Sequence, residues 1–292
     1  MRIASWNCQG IGKSPTVRCL KELCRRYLLD AIFLIETKQL FNYVCDLSVS
    51  IGFPNHFIVS PVGLSGGLAL FWKNSIDINV VYHDARLVDC FMNEKTSPFY
   101  LSCIYCDPNP QFRSELWERL QWTVTTRNKP WLMLGDFNQI RTNSEKLGGH
   151  FRDEETFREF NTTLDICDML ELKHKGNKFS WSGNESLIQD EVRKTELIQC
   201  CLDKVLANTE WFSYYTVVEA KFLELVESDH RPLLVNICSE TQVKRGLFRY
   251  DKRLFSREGF KEFIEAEWDQ IPDTLALLSK LKRIRKKISQ WK

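Results

Sequence analysis

The sequence predicts an α+β fold built on apolar strands that end in polar side chains. Three observations carry that expectation. The run Trp131-Leu132-Met133-Leu134 ends on Gly135-Asp136-Phe137-Asn138, the pattern of a buried strand that stops at a reaction centre. The run Ala31-Ile32-Phe33-Leu34-Ile35 likewise ends on Glu36, and a carboxylate there is costly unless it is exposed, paired or bound to metal. Between Phe57 and Leu101 short β-prone runs follow one another with turn residues and no helical period between them, which favours an antiparallel meander over parallel βαβ units.

Arg2 to Asn7 reads as a first strand broken at Gln9-Gly10-Ile11-Gly12. Val17, Leu20, Leu23, Cys24, Tyr27 and Leu28 then recur at helical spacing behind Pro15, which suits a first helical turn. The strand ending at Glu36 follows. The meander comprises runs at 57–59, 66–73, 76–82, 87–92 and 99–105, the last ending in Tyr105-Cys106-Asp107-Pro108. Phe112, Leu116, Leu120 and Val124 mark a second helix.

The strand ending at Asp136 comes next. Strand alternation turns Asp136 and Asn138 to one side, and Gly135 permits a close approach. A polar loop over 142–152 leads to a helix opened by Asp153-Glu154-Glu155. Lys178 to Ser182 alternates as a strand, Leu202-Asp203-Lys204-Val205-Leu206 is a strand with an acid inside it, and Ser228-Asp229-His230-Arg231-Pro232 precedes a closing strand at 233–237. Residues 241–292 read as one or two basic amphipathic helices.

At 292 residues with 43% hydrophobic content the chain can bury a large core. One main domain is expected at 1–240, with 241–292 as a basic helical tail or connector. The tail carries 14 Lys/Arg against 7 Asp/Glu, leaving 26 against 31 in the body. Eleven cysteines are scattered through apolar segments without paired CxxC blocks, so they read as reduced core residues. Cys200-Cys201 reads as no metal site, because adjacent side chains diverge and no second pair lies near. The N-terminus has no signal-peptide pattern and no run of about eighteen apolar residues occurs. A soluble intracellular protein is expected; Lys280 to Lys287 reads either as a nuclear address or as a basic helix face, and the nucleus is favoured over the cytoplasm.

Asn7, Glu36, Tyr105, Asp136, Asn138, Asp203, Asp229 and His230 collect at strand ends. Singly each has a structural reading, as a turn former, a cap or a satisfied sheet residue. Together they form an ordered polar set on otherwise apolar strands.

The blocks Trp6-Asn7-Cys8-Gln9-Gly10, Ile35-Glu36-Thr37-Lys38, Gly135-Asp136-Phe137-Asn138, Leu202-Asp203-Lys204 and Ser228-Asp229-His230-Arg231-Pro232 resemble the signatures of the endonuclease/exonuclease/phosphatase, or DNase I-like, superfamily. Within it, Gly66 to Trp72, Glu145 to Gly149 and Phe179 to Ser182 most resemble the endonuclease domain of plant LINE-type non-LTR retrotransposons. The segment from Leu247 to Trp268 is similar to the connector that follows this domain.

The resemblance implies a four-layer α/β/β/α sandwich, two mixed β-sheets packed face to face with helices outside. It implies that Glu36, helped by Asn7 and Asp229, holds Mg²⁺, or Mn²⁺ in its place. It implies that Asp136 orients and deprotonates a water, that Asn138 and Tyr105 hydrogen-bond the phosphate, and that His230, fixed by Asp203, donates to a non-bridging oxygen. In-line attack on a phosphodiester loads charge onto oxygens that are already anionic, so a cation and fixed donors are needed beside one free base.

The activity implied is a Mg²⁺-dependent DNA endonuclease that leaves 3′-hydroxyl and 5′-phosphate ends. DNA is the expected partner, with no membrane, no obligate protein partner and a monomeric state. Gln9 stands where apurinic/apyrimidinic endonucleases usually carry Asp, and Gln199-Cys200-Cys201 stands where related plant elements carry Arg. A phosphatase of a small phosphoester or phosphoinositide on the same fold is the alternative activity, and an inactive nucleic-acid-binding relic the non-enzymatic one.

Overall fold

Arg2–Asn7 (β1) and Ala31–Ile35 (β2) lie side by side in parallel, with Ile3 opposite Ala31 and Asn7 opposite Ile35. Every residue of β2 is buried, so this strand shows a continuous apolar run instead of an alternating one. Between them runs the helix Ser14–Tyr27 (α1), with Pro15 in its first turn and Leu28 closing it in the left-handed conformation. The computed structural model describes residues 1–63, 65–94, 97–189, 192–215, 217–224, 227–238, 257–269, 284, 287 and 288.

After β2 the chain forms the helix Phe41–Ser50 (α2), then Asn55–Val59 (β3), Leu68–Trp72 (β4), Ile78–His83 (β5), Leu87–Met92 (β6) and Phe99–Tyr105 (β7). The helix Ser114–Val124 (α3) leads into Trp131–Asp136 (β8), the short Lys146–Leu147 (β9) and the helix Glu155–Ile166 (α4). Met169–Glu171 (β10), His174–Lys175 (β11), Trp181–Gln189 (β12), Val192–Cys200 (β13) and Asp203–Asn208 (β14) follow. The turn Trp211–Tyr214 (α5), Val217–Phe222 (β15) and Leu233–Cys238 (β16) complete the body.

The strands make a seven-stranded sheet ordered β11-β15-β16-β1-β2-β4-β3, a six-stranded sheet ordered β10-β14-β8-β7-β6-β5, and a small sheet of β12, β13 and β9. Both large sheets are mixed: β1 and β2 are parallel in one, β7 and β8 in the other, beside antiparallel neighbours. The expected meander is antiparallel but divided. Strands β3 and β4 pair in the first sheet, while β5, β6 and β7 pair in the second.

Side-chain alternation separates the layers. Ile3, Phe33, Leu70, Leu101, Leu132, Leu134, Val205 and Val235 from both sheets share one buried cluster. Ala4, Trp6, Ile32 and Leu34 face the other way, onto Leu20 and Leu23 of α1 and Val44 and Leu47 of α2. Ile104, Trp131 and Met133 likewise pack on Leu116, Trp117 and Leu120 of α3 and Phe160 and Leu164 of α4. The layers are therefore helix, sheet, sheet, helix, as the sequence leads one to expect. Burial of these faces supplies the main driving force of the fold.

Residues 1–240 and 241–292 form separate compact units. In the second, Phe260–Asp269 (α6) is helical. The connector-like Leu247 to Asp251 and, apart from Ile284 and Lys287, the basic run Lys280 to Lys287 lie outside the described residues. No helix of the described residues is long and apolar enough to cross a membrane.

Candidate active site

The inter-sheet face, followed to one edge, delivers four of the polar side chains. Beyond Ile3 on β1 the same face reaches Asn7; beyond Leu101 and Cys103 on β7 it reaches Tyr105; beyond Leu132 and Leu134 on β8 it reaches Asp136. On β14, Val205 and Ala207 share their face with Asp203. Register then aligns them, with Tyr105 opposite Asp136 and Asp136 opposite Asp203.

Gly135 makes the alignment possible. Its φ of 139° lies where side chains are strained, and a Cβ there would sit 2.0 Å from the Ile104 carbonyl oxygen. Among the described residues, four of the seven non-glycine positions with positive φ are found here: Gln9, Glu36, Lys38 and Asn138. Each left-handed residue costs roughly 1–2 kcal/mol, and such strain collects where surrounding structure holds it for function.

The Asn7 amide bridges two acids, donating from Nδ2 to Glu36 Oε1 and to Asp136 Oδ2, each at 3.1 Å. Its Oδ1 accepts from the Gln9 N–H at 3.3 Å. Tyr105 donates its hydroxyl to Glu36 Oε1 at 3.0 Å. His230 Nδ1 lies 2.9 Å from Asp203 Oδ2, and its Nε2 lies 3.7 Å from Asp136 Oδ2. The Asn138 backbone N–H donates to Asp136 Oδ1 at 2.9 Å, while its side-chain Nδ2 donates to the Cys106 carbonyl at 2.8 Å.

Six of the eight expected residues thus form one connected set: Asn7, Glu36, Tyr105, Asp136, Asp203 and His230. The side chains of Asn138 and Asp229 bond outside that set. Asn138 lies past the end of β8 in a left-handed turn, so strand alternation does not carry its side chain beside that of Asp136. Asp229 has its Oδ2 against the Trp181 indole N–H at 2.8 Å. Tyr105, expected to hydrogen-bond a phosphate, donates its hydroxyl to Glu36 here.

Lys38 and Ser180 were not anticipated. Lys38 Nζ is 2.7 Å from Glu36 Oε2 and also donates to Gln9 Oε1 at 2.7 Å. The available signal was a cation two residues beyond a lone acid, but its contact depends on two left-handed residues that no periodicity reveals. The buried Ser180 hydroxyl accepts from the N–H groups of Leu202 and Asp203, each at 2.9 Å, while its carbonyl accepts from the Arg231 N–H at 2.7 Å. It therefore clamps the two segments that carry Asp203 and His230.

Charge states follow from these contacts. Burial alone would raise the Glu36 carboxyl, but Lys38, Asn7 and Tyr105 outweigh it and hold the group below its usual value. Asp136 goes the other way: burial lifts it, the His230 imidazolium pulls it partly back, and Asp203 adds to the rise. Burial would strip the proton from His230, yet Asp203 and then Asp136 prevail and raise it to about 10. The edge therefore holds an ionised Glu36, a buried Asp136 carboxyl lifted above its usual value, and a protonated His230 imidazole.

The raised His230 value sets a stability dependence. Its folded pKa of about 10 exceeds the ordinary 6.5, so the charged ring's contribution is complete below pH 6.5 and is lost as pH rises through about 10. Denaturant titrations of metal-free wild type and His230→Gln should show a stability gap that closes over that range. A gap that stays constant to pH 10.5 would refute the ionised pair.

The donor chemistry fits a hard divalent cation. Glu36 is nearly buried, ionised and already faced by an ammonium, and the oxygens of Asn7 and Asp229 are of the type that Mg²⁺ accepts. Asp136, Asp203 and His230 also bring ligand atoms within 4.8 Å of one another, though His230 and Asp203 are bonded to each other.

No curated protein sequence matches this chain. Solved structures do resemble its fold. The endonuclease domain of TRAS1, a telomere-specific non-LTR retrotransposon, superposes with a TM-score of 0.55 at 15% identity over 81% of this chain and 97% of that one. A Neisseria 3′ phosphatase, NExo, bound to a product DNA hairpin gives 0.58 at 15% identity over 82% and 99%. The AP endonuclease LMAP of Leishmania major gives 0.59 at 13% identity over 80% and 86%. The sequence profile of the endonuclease/exonuclease/phosphatase family matches residues 4–230, a span that runs from the strand carrying Asn7 to His230 itself, and the chain belongs to that family.

Proposed function

We propose that this chain is a Mg²⁺-dependent DNA endonuclease of LINE-type retrotransposon origin, nicking DNA to 3′-hydroxyl and 5′-phosphate ends. The observation that carries the reading is the buried Asp136 carboxylate, bonded to Asn7 and 3.7 Å from the His230 Nε2. A lifted carboxylate beside a proton-holding imidazole is an acid and base pair separated by environment. Asp136 accepts the proton of the attacking water. His230, oriented by Asp203, donates from Nε2 to a non-bridging phosphate oxygen. The Asn138 amide, whose Nδ2 already donates to the Cys106 carbonyl, gives its second N–H to the same phosphate, and Tyr105 keeps the Glu36 carboxylate aimed.

Glu36, Asn7 and Asp229 would hold the divalent cation, which offsets the charge that accumulates on the phosphate. The likeness to the TRAS1 domain and the blocks at Gly66 to Trp72 and Phe179 to Ser182 support a retrotransposon lineage of the plant LINE type. Residues 1–240 are the catalytic domain and 241–292 a basic connector that adds phosphate contacts to an acidic body. Such a protein acts in the nucleus.

Nicking of supercoiled plasmid with and without Mg²⁺, beside Asp136→Ala and His230→Ala, tests the proposal. Metal-dependent nicking lost in both variants is the expected result. A folded wild-type chain that leaves plasmid intact would overturn it and direct the assay to phosphomonoesters and phosphoinositides.

A further inference from the structure

Away from that set of residues, the chain passes from the six-stranded sheet to the seven-stranded one in two residues: β10 ends at Glu171 and β11 begins at His174. There Glu171, His174 and Cys201 bring a carboxylate oxygen, an imidazole nitrogen and a thiol within 4.8 Å of one another. The adjacent cysteines do diverge, as their sequence implies. Cys200 packs in the cluster of Ile140 and Phe157, whereas Cys201 enters the inter-sheet core. What spacing could not show is that Cys201 meets ligands from another part of the chain.

We propose that Glu171, His174 and Cys201 form a Zn²⁺ site that fastens the edge strands of the two sheets to the start of β14. Sulfur and imidazole beside a single carboxylate suit zinc and not Mg²⁺ or Ca²⁺, which demand oxygen. Three protein ligands leave a fourth position to water.

Each ligand is held from behind. The His174 ring packs on Phe222 with centroids 4.4 Å apart, which limits its rotation. The Cys201 N–H donates to the Glu145 carbonyl at 2.9 Å. Arg141 Nη1 lies 3.8 Å from Glu171 Oε2.

Charge also balances. The buried Lys204 ammonium is 2.7 Å from Glu145 and 3.5 Å from Glu171. The shorter pair leaves Glu145 to neutralise Lys204 when Glu171 turns to the ion, and a thiolate with one carboxylate then neutralises Zn²⁺. Binding breaks the Cys201 S–H bond, forms a Zn–S bond and releases the proton to solvent. The ion would couple both sheets to a segment two residues from Asp203.

The test uses the metal-free full chain, titrated calorimetrically with Zn²⁺ alone and spectroscopically with Co²⁺. One tight equivalent, unaffected by excess Mg²⁺ and showing a thiolate-to-Co²⁺ band, is expected. His174→Ala and Glu171→Gln, at half-buried positions, should each weaken Zn²⁺ binding at least ~10-fold, with folding checked by circular dichroism. Cys200→Ser should leave it unchanged. Wild-type affinity in His174→Ala, or a Co²⁺ spectrum without the thiolate band, would overturn the site.

Discussion

Gly135→Ala is expected to destabilise the body by on the order of 3–5 kcal/mol, combining backbone strain with overpacking. The added methyl would meet the Ile104 carbonyl oxygen at 2.0 Å and its carbon and nitrogen at 2.9 Å. Backbone of a paired, buried strand cannot move aside as a flexible side chain can. Relief would require separating β7 from β8 at the step where Ile104 pairs with Gly135 and Tyr105 with Asp136. The measurement is the urea midpoint of purified wild type and variant. A loss below ~1 kcal/mol would mean that this strand pair tolerates a wider spacing, and that the close approach is not needed for the fold.

Asp136→Asn should separate activity from stability. The substitution keeps the shape of a fully buried side chain but removes the carboxylate that, in the proposed mechanism, accepts the water's proton, a change worth roughly 10²–10⁴ in rate for a general base. Burial already disfavours the charged form of Asp136 in the native protein, but the amide must set its NH2 against the Asn7 Nδ2 or the Asn138 N–H that now donates to the carboxylate. A modest fall in melting temperature is expected beside a far larger fall in nicking. Full nicking by Asp136→Asn would remove Asp136 from the base role, and a collapsed melting temperature would show that its charge is chiefly structural.

The elements that could be read from sequence are those whose pattern is local. Trp131 to Asp136 announces a buried strand by its apolar run, and α1 announces itself by Pro15 and the spacing of Leu20 and Leu23. Residues such as Asn7 and Asp203 were recognisable because a polar group at the end of an apolar strand is costly unless used. What escaped has non-local causes.

Helix α2 has no acidic first turn and no basic last turn, so it offers few terminal signals. Strand β15 is defined by its pairing with β16 more than by its own composition, since Val217-Val218-Glu219-Ala220-Lys221-Phe222 carries no turn signal at either end. The division of the meander depends on which neighbour each strand finds in space. The position of Asn138 followed from alternation only if the strand continued, and a left-handed turn ended it.

The inter-sheet face that runs out to the polar edge makes the proposed catalysis a gauge of strand registration. Sliding any one of β1, β7, β8 or β14 by a single residue would turn its terminal polar group into a helix-covered layer and bring an apolar neighbour to the edge. The hydrophobic interior and the reactive groups are therefore proofread together, by the same two-residue repeat. Selection that preserves only the chemistry in such a chain also preserves the packing several residues inward, and drift in the interior would be silenced at the active edge before it unfolded the protein.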